Sequence, residues 1–97
     1  MIGVGGIFVE TFKDVRLMPA WLPKERIVEE CYQLKGAAML RGARGRPAVD
    51  VEALADAVLR IAAAMIARPE ILEIDVNPLA LLPKGAIALD ALIVAAP

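Results

Sequence analysis

Hydrophobic residues recur along this chain with two different periods, and the change of period divides it. From Val51 to Met65 the apolar positions are Val51, Leu54, Ala55, Val58, Ile61, Ala62 and Met65. Steps of three and four put them on one stripe of an α-helix. Asp50 stands just before the stripe and predicts an N-cap, its carboxylate accepting from free backbone N–H groups of the first turn. Pro69 ends this helix. A shorter helix is predicted over 24–34, from Ile27, Val28, Cys31 and Leu34 at helical spacing. Pro23 suits its first turn, and Gly36 is a natural stop. From Leu72 the period falls to two. Leu72, Ile74 and Val76 alternate with Glu73, Asp75 and Asn77, as in a half-buried strand. Pro83-Lys84-Gly85 is turn chemistry, and Ala86 to Val94 is the return strand of a hairpin.

Upstream, residues 3–12 pass from glycines into a strand favoured by Phe8 and Val9. Lys13-Asp14 marks a turn or bulge, and Val15 to Met18 is a second strand. Pro19 and Pro23 bracket an irregular link that holds Trp21. The order β-β-α-α-β-β predicts an α+β fold, a largely antiparallel sheet with two helices packed on it. A chain that opens on unbraced glycines reads as a domain cut into rather than begun.

Composition narrows the function classes. The chain has 97 residues, which allows one small domain. Apolar residues make up 59% and aromatics 4%, so the core is expected to be Ala, Leu, Val and Ile. With 11 basic against 12 acidic residues there is no positive excess to meet nucleic acid. The Ala-rich 53–67 segment is broken by Asp56 and Arg60, so no membrane span is expected. No basic stretch precedes the first apolar residues, as a signal peptide requires. A single cysteine, Cys31, cannot form an internal disulfide, which fits a reducing cytoplasm. Its place on a helical apolar stripe makes it a core residue. The chain has no histidine, and so lacks the commonest general base and metal ligand.

Three stretches carry candidate chemistry. In the hairpin, Asp75 and Asn77 lie two apart and point to one face. A turn of even count sets Leu79 opposite Asp90, with Asp90 one diagonal step from Asn77; an odd count puts Asp90 on the other face. Carboxylate and amide oxygens beside a sheet suit Mg²⁺, which takes one or two protein oxygens and completes its octahedron with phosphate and water. The same residues also serve a solvated strand that ends in an Asn-Pro turn. In "RGARGR", Arg41, Arg44 and Arg46 alternate with Gly42 and Gly45. Such a loop brings backbone N–H groups and guanidinium forks to an anion, or is simply a solvated basic loop. "GVGGIF" is not a dinucleotide fingerprint, because Phe8 stands where the third glycine belongs. Glu10 is either a site carboxylate or an exposed strand residue. Trp21 either packs under its loop or marks a contact surface.

Taken together, "GGIFVETFKDV", "LKG…MLRGARGRPAVD" and "EIDVNPLALLPKGAIALDA" resemble the C-terminal half of the ATP-grasp domain of ADP-forming acyl-CoA synthetases. These are relatives of the succinyl-CoA synthetase β subunit, and the resemblance covers nearly the whole chain. It implies interconversion of acid, CoA and ATP with acyl-CoA, ADP and phosphate, through an acyl phosphate and a phosphohistidine. On the resemblance, Asn77 and Asp90 match two Mg²⁺ ligands that hold ATP or ADP phosphates, and Asp75 supports them. Gly42, Arg44 and Gly45 match a phosphate loop, in which Arg44 is the expected catalytic cation. Gly5, Gly6 and Glu10 match the strand entry of the nucleotide site.

Two departures stand out. The family's aromatic-Arg-Leu triplet after K-D-V is replaced by Leu17, Met18 and Pro19, with Arg16 offset by two. The family's N-terminal ATP-grasp lobe, CoA-binding domain and phosphohistidine have no counterpart in these residues, so they are expected as partners on the same or another chain. The chain is therefore expected to be inactive by itself. Two other readings stay open. One is a non-catalytic interaction module or truncated remnant. The other is the matching part of an acyl-CoA-synthetase-like protein lysine acetyltransferase. A homodimer or higher assembly through the glycine-rich first strand is also expected, because a half-domain leaves strand edges and apolar surface uncovered.

Overall fold

The computed structural model describes residues 1–4, 14–42 and 45–97. In chain order these form strands β1 (Ile2–Gly3) and β2 (Val15–Arg16), then helices α1 (Lys24–Cys31), α2 (Ala37–Leu40) and α3 (Val51–Ala67). Strands β3 (Ile71–Val76), β4 (Leu79–Leu81), β5 (Ala86–Ala88) and β6 (Ala91–Ala95) complete the chain. The pairings β1 with β2, β3 with β6 and β4 with β5 are all antiparallel, so the fold is α+β as expected. Among the described residues the strands make three two-stranded pieces. Most of the strand expected over 3–12 lies outside the described residues.

The core fills the seam between α1 and α3. Leu22, Ile27, Cys31, Val51 and Ala55 are buried together, with Val28, Leu54, Val58 and Leu59 packed around them. The stripe on α3 delivers this seam. Its first turns are buried, and Ile61, Ala62 and Met65 further along are half-buried. Cys31 is 0% exposed and sits in the core as its position predicts. Burial pushes its thiol pKa up, because the thiolate would lose its hydration. Lys24 laces the seam's edge, its ammonium 3.0 Å from both Glu52 and Asp56. Trp21 is 75% exposed and does not pack under its loop.

Two local expectations need correction. Helix α1 ends at Cys31 rather than Leu34, and Gly36 is not its left-handed stop; its φ is −81° and it precedes α2. Glycine is needed there for space. A Cβ on Gly36 would lie 3.0 Å from Val4 and 3.2 Å from the Asp14 carboxylate. That carboxylate accepts the Lys35 N–H at 2.6 Å and the Gly36 N–H at 2.7 Å. Asp14 is therefore more than a turn residue, since it pins β2 to the approach of α2. Arg16 pins the same strand to α1, its guanidinium 2.6 and 2.7 Å from Glu30 Oε2.

Candidate functional site

The C-terminal hairpin runs as two ladders in line. In the outer one Ile74 faces Ile93, Asp75 faces Leu92 and Val76 faces Ala91. In the inner one Leu79 faces Ala88, Ala80 faces Ile87 and Leu81 faces Ala86. Pro78 separates them, because it has no N–H to give a ladder. Two backbone bonds cross the gap: Asn77 N–H donates to the Asp90 carbonyl at 3.0 Å, and Leu89 N–H to the Pro78 carbonyl at 3.0 Å. The expected partner of Asp90 was Leu79. Instead Leu79 faces Ala88, and Asp90 stands opposite Asn77 itself. The two ladders share one register, two residues away from the expected one, and it sets the backbone of Asn77 opposite that of Asp90. Both residues are exposed, as is Asp75 two positions earlier. The Asp90 Oδ1 accepts the N–H of Ala91 at 2.9 Å.

The glycine-arginine loop is shaped by its glycines. Gly42 and Gly45 have φ of 91° and 77°, a region that side chains disfavour. A Cβ on Gly42 would lie 2.8 Å from the Arg46 carbonyl oxygen and 2.9 Å from the Ala48 nitrogen, so the loop folds back on itself there. Val49 N–H donates to the Leu40 carbonyl at 3.1 Å and closes the loop's base. Arg41 is engaged elsewhere, its guanidinium 4.4 Å from the centroid of the Tyr32 ring. Arg44, Gly5, Gly6 and Glu10 lie outside the described residues. Among the described residues, no three His, Cys, Asp or Glu side chains cluster as a metal site. The donors offered by the hairpin are an amide oxygen and carboxylate oxygens.

One residue does more than its sequence position suggests. Asp50 caps α3, accepting the Ala53 N–H at 2.9 Å on Oδ1. Its Oδ2 accepts the Gly85 N–H at 2.7 Å, in the turn of the hairpin. Its own N–H donates to the Leu82 carbonyl at 2.7 Å. The Gly85 and Ala53 N–H groups together hold its carboxyl below the usual carboxylate range. The cap is legible from Asp50 standing before an apolar stripe. The link to Gly85 has no local signal, because it joins residues far apart in the chain.

The sequence profile of the ATP-grasp domain matches residues 1–95. The chain belongs to the ATP-grasp domain family. Within it, the chain is 44% identical over 91 residues to the β subunit of ADP-forming acetate–CoA ligase I from Pyrococcus furiosus, covering 94% of this chain and 39% of that one. It is 40% identical over 94 residues to a trans-feruloyl-CoA synthase from an unknown prokaryotic organism, covering 95% of this chain and 13% of that one. A solved structure matches with a TM-score of 0.90 and 38% identity, over 96% of this chain and 44% of the other. It is a dinucleotide-forming acetyl-coenzyme A synthetase of Candidatus Korarchaeum cryptofilum, in complex with coenzyme A and Mg-AMPPCP. This ATP-grasp segment thus spans less than half the length of these relatives, which are larger ligases and synthetases. The resemblance read from three sequence blocks is borne out. Among the described residues, no helix is long and apolar enough to cross a membrane.

Proposed function

We propose that this ATP-grasp segment supplies the Mg²⁺-nucleotide phosphate face of an ADP-forming acyl-CoA synthetase. The reaction is acid, CoA and ATP to acyl-CoA, ADP and phosphate. The observation that carries the proposal is Asn77 standing opposite Asp90, exposed on one hairpin and next to Asp75. The donor set fits Mg²⁺. It is all oxygen, and a pair of protein ligands suffices for an ion that keeps water and phosphate oxygens. Asn77 and Asp90 would hold the ion, and Asp75 would add negative charge beside them. When bound, Mg²⁺ supplies charge neutralisation for the transferred phosphoryl group. Gly42 and Gly45 open the loop backbone to phosphate oxygens, and Arg44 adds a cation there; Gly5, Gly6 and Glu10 are assigned to nucleotide binding by the same reading. The nucleotide is ATP or ADP.

The relatives' lengths support reading residues 1–97 as the C-terminal lobe of an ATP-grasp domain. An N-terminal lobe and CoA-binding domains then complete the enzyme on the same or another chain, in the cytoplasm. Similar identity to relatives named for acetate and for ferulate supports placing acyl selectivity outside this segment.

Calorimetric titration of Mg·ATP, and of Mg²⁺ alone, into the 97-residue chain tests the proposal. Saturable binding is expected, and the Asn77→Ala/Asp90→Ala variant should lose it. Both residues are exposed, so the variant's stability should stay within about 0.5 kcal/mol of the parent. No heat of binding up to millimolar nucleotide would overturn the reading, and a large fall in melting temperature would make the pair structural.

A further inference from the structure

We infer that Asp50 is a positioning residue, fastening the hairpin that carries Asn77 and Asp90 to the base of the loop that carries Arg44; the inference rests on the functional reading above. Besides the helical bond from Leu54 N–H to its carbonyl, three hydrogen bonds meet at this residue. Oδ1 takes Ala53 N–H in the first turn of α3, Oδ2 takes Gly85 N–H, and the backbone N–H reaches the Leu82 carbonyl. The loop closes one residue earlier, where Val49 N–H meets the Leu40 carbonyl. The exit of the glycine-arginine loop, the start of α3 and the tip of the hairpin are therefore one hydrogen-bonded unit.

Capping alone does not account for the arrangement. Serine or asparagine caps a helix about as well as aspartate. Only a carboxylate presents two acceptor oxygens, one for each N–H; an asparagine amide would set its NH₂ against one of two donors. The turn is built to meet it. Leu82 N–H donates to the Gly85 carbonyl at 3.0 Å, and Gly85 has φ of 88°. From that turn to Asn77 the chain runs five residues of β4 and its approach, roughly 17 Å at about 3.3 Å per residue. The inner ladder is paired over that length, so the direction of the tip sets the direction of the Asn77–Asp90 pair. The far end of the hairpin is steadied separately, where β3 packs on α3.

The test is Asp50→Ser in the full chain, compared with the parent and Asp50→Ala. Serine keeps an acceptor for Ala53 N–H but is too short to reach Gly85. Amide hydrogen exchange at Asn77, Gly85 and Leu89 is read with the melting temperature, followed by Mg·ATP titration. In Asp50→Ser the melting temperature should fall, but less than in Asp50→Ala because the helix cap is kept, with exchange at all three amides faster. Mg·ATP affinity should fall about tenfold, as when a group supporting a metal ligand is removed. Parent-like exchange at Asn77 and Leu89 in Asp50→Ser overturns the inference, and so does parent-like affinity despite faster exchange. A melting temperature as low as that of Asp50→Ala also overturns it, because the residue would then serve stability alone. If the parent chain binds no nucleotide, the functional reading fails, and the exchange data still decide whether Asp50 fastens the hairpin.

Discussion

The backbones of Asn77 and Asp90 come opposite each other because the two ladders keep one register, and Asp50 shows what such placement means for stability against pH. The Gly85 and Ala53 N–H groups favour the charged form of Asp50, so its folded pKa lies below its unfolded value. A group of this sign stabilises the fold above the unfolded carboxyl pKa, and that stability is lost as pH falls through the folded pKa. Glu70 has the same sign; its own N–H is the largest cause, and Arg68 at 3.0 Å adds to it. Lys24 has the opposite sign, raised first by Glu52 and then by Asp56, so its contribution is lost only on the alkaline side. Melting temperature should therefore be flat near neutrality and fall below about pH 4. Asp50→Asn should make the acid limb shallower; thermal melts between pH 6 and pH 2.5, as rough limits, read this directly. An unchanged acid limb would show that the two N–H groups do not govern this carboxyl.

At the scale of elements, legibility followed from how local the cause was. Helix α3 was readable end to end because its stripe, its cap at Asp50 and its stop before Pro69 all sit within the segment. The hairpin was readable as alternation and turn residues. Its division into two ladders was not, because that depends on what Pro78 does to pairing on both sides of it. Gly36 was misread as a helix stop because its reason for being glycine, the closeness of Val4 and Asp14, lies across the chain. Of the candidate site, the nearness of Asn77, Asp90 and Asp75 on one hairpin was legible from spacing. The Asp50–Gly85 link was missed because nothing near Asp50 announces it, and the stacking of Arg41 on Tyr32 had no local signal either. The α1–α3 seam carries a prediction of its own. Ile27 is 1% exposed and central to it, so Ile27→Ala should cost about 2–5 kcal/mol. That is a large fraction of a small domain's total of about 5–15 kcal/mol. Urea unfolding should show a much lower midpoint or no folded baseline; an unchanged midpoint would place the core elsewhere.

The whole molecule shows more surface than its mass warrants. A compact monomer of 10.3 kDa should expose about 5,400 Å², and this chain exposes 7063 Å². Its extents of 47 × 28 × 21 Å fit an elongated body. Much of the exposed apolar area is on the hairpin, where Leu92 is 58% and Ile93 60% exposed and all of β6 is open. An excess of about 1,700 Å² is of the order one partner buries in an obligate interface. Alone in solution the chain should therefore self-associate, giving a light-scattering mass above one protomer at micromolar concentration; a single-protomer mass would sink this. Meanwhile the one thiol of the chain is sealed between α1 and α3, away from that open flank. An alkylating reagent reaches it only when the two helices part. The rate at which Cys31 is labelled is thus an internal clock for the opening of the seam, and it will keep time whatever covers the hairpin.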